Sequence, residues 1–160
     1  MLDWNFPYPD QELIMSRPDP YLMFDGNCAE AMRFYERTLG GKIEAMLKTS
    51  DTPIADQMPA ASAGRIMHAA LEFDGGMLMA SDTMMGEPYE GMKGFMLALR
   101  YSTVAEAERV FAALSEGGNV TMPMQKTFWA ESFGMVVDRF GTSWAINGVP
   151  VAPDALCKQS

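Results

Sequence analysis

Asn27-Cys-Ala-Glu-Ala-Met-Arg-Phe-Tyr35 returns 76 positions later as Thr103-Val-Ala-Glu-Ala-Glu-Arg-Val-Phe111. A unit that recurs in this way constrains the architecture before any single element is assigned, because both copies must satisfy one local fold. Each copy is preceded by a short apolar run, Tyr21 to Phe24 and Phe95 to Leu99. Each also opens with a capping-box pattern, Asn27 with Glu30 and Thr103 with Glu106, which predicts a helix start at both places. Ala31, Phe34, Tyr35 and Leu39 fall at helical spacing, as do Ala107, Val110, Phe111 and Leu114, and both stripes stop at a glycine pair, Gly40-Gly41 and Gly117-Gly118.

The later halves of the two units match at another offset. Glu72-Phe-Asp-Gly-Gly-Met-Leu-Met-Ala-Ser81 runs against Asp138-Arg-Phe-Gly-Thr-Ser-Trp-Ala-Ile-Asn147, 66 positions on, and both read as strand, turn, strand. The fall in offset from 76 to 66 gives the first copy ten extra residues, which the Pro-, Ala- and Gly-rich stretch Pro53 to Gly64 accommodates as a long mobile loop. The expected fold is α+β: two βαβββ modules, about 20–85 and 93–150, in a single domain spanning 20–150. A tail follows from 151. Residues 1–19 form an extension whose Trp4, Phe6, Tyr8, Leu13 and Ile14 are too apolar for a free tail and are expected to pack on the domain or on a neighbouring subunit.

Composition narrows the function classes. The formal charge is −9, and the twelve Lys and Arg residues are scattered, which argues against a nucleic-acid partner. No apolar run approaches the roughly 20 residues of a membrane span, and the N-terminus lacks the pattern of a signal peptide, so the expected location is the cytoplasm. Cys28 and Cys157 form neither a disulfide framework nor a metal-binding spacing. No Gly-rich phosphate loop sits between a strand and a helix.

Pro20 to Glu36, Ile66-Met-His-Ala-Ala-Leu-Glu72, Met79-Ala-Ser-Asp82 and Thr127-Phe-Trp-Ala-Glu-Ser-Phe-Gly-Met135, followed by Asp138-Arg-Phe-Gly141 and Trp144, occur in the order and context of one known family. In these segments the chain resembles the PhnB-like branch of the vicinal oxygen chelate (glyoxalase/bleomycin-resistance/dioxygenase) superfamily. The resemblance implies two βαβββ modules whose mixed sheets curl around a cup, commonly in a homodimer. In the superfamily's metal-dependent members, His and Glu on the first and last strands of the modules hold a cation. Here those strands offer Tyr21, Leu22 and Met23, then Gly94, Phe95 and Met96, with Met77 to Met79 and Trp144 to Ile146 at the module ends. None is a strong ligand for a hard divalent ion, so no cofactor is expected; a divalent metal would need a remodelled site.

His68 is the sole histidine. Period-two alternation puts Met67, Ala69, Leu71 and Phe73 on a packing face and Ile66, His68, Ala70 and Glu72 toward the cup. A lone strand histidine is either a hydrogen-bonded structural residue or a proton-transfer group. Its pKa range, and the place of His68 in the motif that carries the resemblance, make it the catalytic candidate. Glu72, four residues along the strand, stands about 13 Å from it. The remaining ligand-binding candidates are Met79 on the cup face, Arg100 on the strand face shared with Met96 and Ala98, Trp129 and Glu131 in an aromatic segment able to cover a pocket mouth, and Trp144. Methionine numbers 16, and most are expected in the core.

Two functions remain open from the sequence. One is a metal-free protein that binds a small apolar or aromatic molecule. The other is a small-molecule enzyme, metal-assisted or dependent on His68. Related sequences carry the name demethylubiquinone methyltransferase, but nothing here reads as a pocket for S-adenosylmethionine.

Overall fold

A computed structural model describes residues 18–151. The N-terminal extension up to residue 17 and the tail from 152, including Cys157, lie outside the described residues. The first module runs β1 (Tyr21–Phe24), α1 (Cys28–Leu39), β2 (Lys42–Lys48), β3 (Ile66–Phe73) and β4 (Gly76–Asp82). The second runs β5 (Leu97–Tyr101), α2 (Val104–Ser115), β6 (Asn119–Gln125), β7 (Ala130–Val137) and β8 (Ser143–Pro150). Two separate four-stranded sheets result, ordered β1-β4-β3-β2 and β5-β8-β7-β6, and neither closes into a barrel. In each sheet the first strand pairs in parallel with the last, and the other neighbours are antiparallel. This is the α+β arrangement expected from the sequence.

The helices bury the stripes that their spacing predicts: Ala31, Phe34 and Tyr35 on α1, and Ala107, Val110, Phe111 and Leu114 on α2. One of the two starts differs from expectation. Thr103 caps α2 by accepting from the Glu106 N–H at 3.2 Å, whereas Asn27 makes no side-chain cap. Its place is taken by Asp82 at the end of β4, whose Oδ1 accepts from the N–H groups of Gly26 and Cys28 at 2.7 and 3.1 Å. The parallel β1–β4 pairing brings that carboxylate to the helix start, where its charge meets the positive end of the helix dipole. At the other end of α1, Gly40 takes the left-handed conformation and its N–H bonds Glu36 O.

Three further expectations need correction. The stretch from Pro53 to Gly64 is no open loop: with the residues before it, it winds through three 3₁₀ turns, Thr49–Asp51, Ala55–Gln57 and Ala60–Ser62, tied back by Ser50 N–H to Ala63 O and Thr49 N–H to Arg65 O. β5 begins at Leu97, because its register is set by β8, with Leu97 opposite Trp144. Ile66 is a core residue, 2% exposed, although simple alternation put it on the cup face. The register against β2 steps from Leu47–His68 to Lys48–Ile66, so Met67 is an unpaired bulge residue and alternation reverses there.

One core serves both modules. The β7–β8 turn packs against α1, placing Phe140 against Phe34 and Tyr35, Trp144 against Tyr35, and the Arg139 guanidinium 4.3 Å from the Phe34 ring centroid. Asp138, 3% exposed, accepts there from the Tyr35 hydroxyl at 2.7 Å and the Trp144 indole at 2.8 Å. Burial, then the charge of Asp138, raises the Tyr35 pKa, which keeps this phenol a proton donor.

Candidate functional site

Short alternation on β1 sends Leu22 and Phe24 into the core and leaves Tyr21 and Met23 on the opposite, open face of the first sheet. Parallel pairing sets Tyr21 beside Met79, and antiparallel pairing sets Met79 beside Ala70. His68 lies two residues before Ala70 on the same face. The Tyr21 ring crosses toward it, bringing its hydroxyl 3.1 Å from His68 Nδ1 and the ring centroids to 5.9 Å. Met23 and Ser81 occupy the adjoining row, with the Ser81 hydroxyl donating to Met23 Sδ at 3.4 Å. The result is a phenol–imidazole pair on a sheet face otherwise lined by thioethers and small side chains.

Burial lowers the pKa of His68. The imidazole is therefore neutral at neutral pH, and charging it costs stability: its contribution is complete above the ordinary histidine range and declines as the pH falls through its lowered value. A neutral imidazole hydrogen-bonded to a phenol can take a proton at the ring and give one at the hydroxyl, or can fix a polar atom of a bound molecule.

The other sequence candidates do not all gather around this pair. Met79 does. Glu72 sits on the same strand but bends to the hairpin, where its Oε1 accepts from the Gly75 N–H at 3.2 Å. Arg100, Trp129, Glu131 and Trp144 belong to the second sheet or its loops. Glu131 pairs with Lys126 at 3.0 Å, and Trp129 stacks edge-on between Phe128 and Phe133. Trp144 faces the core at 1% exposure, bonded to Asp138, so its indole is part of the packing between modules and not of an open ligand face. Tyr21 is the residue that sequence reading missed. The β1 alternation places Tyr21 on the open face, but its meeting with His68 depends on the β1–β4 and β3–β4 registers, which no local pattern supplies.

Among the described residues the donor set does not fit a hard divalent ion. Among the described residues no three of His, Cys, Asp and Glu come together. The open-face positions of the first and last strands are Tyr21 and Met23, Met79 and Ser81, Ala98 and Arg100, Ala145 and Asn147. Thioethers are too soft and a guanidinium has the wrong charge for such a cation, and the single Asn147 amide among these positions does not make a site.

Cys28 is fully buried at the start of α1. Desolvation, then the charge of Asp82, pushes its thiol pKa up to about 12. Iodoacetamide at pH 8 is therefore expected to leave Cys28 unmodified in the native protein and to alkylate it in urea, read by peptide mass mapping; fast native labelling would show that the helix start opens.

Comparison with known proteins supplies the setting for this geometry. The model of a family described as 3-demethylubiquinone-9 3-methyltransferase matches residues 17–147. Protein YjdN of Escherichia coli (strain K12) is 36% identical over 142 residues, which span 84% of this chain and 96% of that protein. The crystal structure of PA1353 from Pseudomonas aeruginosa is 49% identical with a TM-score of 0.79, covering 84% of this chain and 98% of that one. The fosfomycin resistance protein FosX from Mesorhizobium loti superposes with a TM-score of 0.58 over 91% of this chain and 100% of its own, at 9% identity, a likeness of fold alone.

Proposed function

The chain belongs to the PhnB-like family of the vicinal oxygen chelate superfamily, and from that premise we propose that it binds a small apolar or aromatic molecule on the open face of its first sheet, without a resident metal ion. The observation that carries this reading is the Tyr21–His68 hydrogen bond, set among Met23, Met79 and Ala70 where the donors suit an organic polar atom better than a cation. Tyr21 and Met23 are 43% and 40% exposed, so the face is available to a flat ligand. The methyltransferase wording of the family description is a label, and methyl transfer is not part of this proposal.

The same reading includes a homodimer. Phe95, Met96, Phe128 and Trp129 are exposed apolar side chains that a second copy would cover. The setting we propose is the cytoplasm: the free, buried thiol of Cys28 suits a reducing compartment, and no helix among the described residues is long and apolar enough to cross a membrane.

The test pairs metal analysis of purified protein with ligand titration. Less than 0.1 equivalent of metal is expected, with saturable binding from a panel of planar phenols and aromatic acids. His68→Ala and Tyr21→Phe should each weaken that binding about tenfold, the size of one lost hydrogen bond to a bound polar group, while melting temperature moves by only about 2 °C. Near-stoichiometric metal would sink the metal-free reading. A large fall in melting temperature with unchanged affinity would make the pair structural.

A second reading follows from the lowered pKa of His68, which leaves a neutral base hydrogen-bonded to a phenol: a lyase- or isomerase-type proton transfer. It requires turnover that falls on the acid side with an inflection below the ordinary histidine value, and that His68→Ala abolishes while sparing binding.

A further inference from the structure

The two modules are not packed alike along their seam. On one side the β7–β8 turn, Asp138 to Thr142, inserts Phe140 and Arg139 against α1. The matching turn of the first module has only Asp74 and Gly75 between β3 and β4, and the sequence offset of 66 sets Asp74 where the second module has Phe140. Beside this short turn lies a cleft of about 880 Å³, walled by Leu39, Phe73, Leu99 and Tyr101 and carrying Asp74 on one module and Arg100 on the other.

We propose that this cleft binds a zwitterionic small molecule with a flat apolar body, its cationic group on Asp74 and its acidic group on Arg100. Asp74 and Arg100 line the same cleft with opposite charges, yet they form no ion pair with each other. Neither has another ion-pair partner or side-chain hydrogen bond among the described residues. A ligand carrying both charges satisfies both at once, and one carrying a single charge leaves the other unmatched. The C-terminal end of α1, at Leu39 and Gly40, adds partial negative charge to the cleft and favours a cation there. Glu106 also lines the cleft but is already held by Arg109, with contacts of 2.6 and 3.0 Å, and does not compete. Phe73 and Tyr101 supply faces for an aromatic body, and the volume falls within the range of small-molecule sites, about 300–1,000 Å³.

This site stands apart from the Tyr21–His68 face and is tested apart from it. L-Phenylalanine serves as the zwitterionic probe, with phenethylamine and 3-phenylpropanoate as its cationic and anionic halves, titrated into the full-length protein by calorimetry and followed by amide NMR. L-Phenylalanine is expected to bind at least tenfold more tightly than either half, with shifts concentrated at residues 73–76 and 98–102. Asp74→Asn and Arg100→Gln should each remove about tenfold of that affinity with an unchanged melting temperature. Both side chains are exposed, and asparagine tolerates the positive φ of 49° at position 74. Equal binding of the three probes, no binding of L-phenylalanine, or shifts centred on Tyr21 and His68 would each overturn the proposal.

Discussion

Replacing Asp138 by alanine is expected to destabilise the protein by about 4 kcal/mol, among the largest effects of any single side-chain truncation in this chain. Its Oδ2 accepts from Tyr35 and Trp144, and its Oδ1 accepts from the N–H groups of Phe140 and Thr142 at 2.9 and 3.0 Å. Alanine leaves four donors without that acceptor in a site only 3% exposed. An unsatisfied buried donor costs about 1–3 kcal/mol, and repair by Thr142 Oγ1, 2.8 Å from the Tyr35 hydroxyl, recovers part of the sum. For a chain of this size the melting temperature should fall by about 8–16 °C. Asp138→Asn, which keeps one acceptor oxygen but turns the other into a donor, should lose roughly half as much. Urea unfolding at constant slope measures both variants, and a loss below about 1 kcal/mol for alanine would show that the carboxylate is not the point at which the modules are joined.

Gly41→Ala and Gly118→Ala should each cost about 3 kcal/mol, and more than Gly40→Ala. A Cβ at position 41 would stand 2.5 Å from Glu72 O and 2.7 Å from Phe73 Cβ; at 118 it would stand 2.5 Å from Val137 O. These obstacles are backbone or backbone-anchored atoms of the adjoining strand, so relief requires moving β3 or β7. Gly40 has a φ of +77° but nothing within 4 Å of a new Cβ, so alanine there meets only the conformational penalty of about 1–2 kcal/mol. Thermal unfolding of the three variants ranks them. A Gly40 variant less stable than the Gly41 variant would mean that helix termination, and not strand contact, is what the glycine pair provides.

Much of the fold was legible because the repeat carries it. Two helices with matching buried stripes, two hairpins and the order of ten elements follow from patterns local to a few residues. What misled were interactions set by distant residues. Asn27 looked like a cap, but its side chain makes no cap bond, and Asp82, 55 positions away in sequence, binds the helix start through the N–H groups of Gly26 and Cys28. Phe95 and Met96 read as strand from composition, but β8 decides where β5 can pair. One bulge residue, Met67, was enough to turn Ile66 inward while leaving His68 on the open face. The candidate site was legible at its centre, His68 and Met79, and illegible at its edges. Trp144 lies in a stretch where Trp144, Ala145 and Ile146 are all buried, so no alternation marked its direction. Tyr21 needed the β1–β4 register, which no local pattern supplies.

The bond between Tyr35 and Asp138 spans 103 positions, and that separation has a meaning in time as well as in space. A ribosome adding roughly 5–20 residues per second delivers Asp138 on the order of 5–20 s after Tyr35. Throughout that interval the aromatic face of α1, Phe34 and Tyr35, has emerged without Phe140 and Trp144, the side chains that will cover it. The nascent first module therefore keeps part of its apolar helix face uncovered until the second has been made.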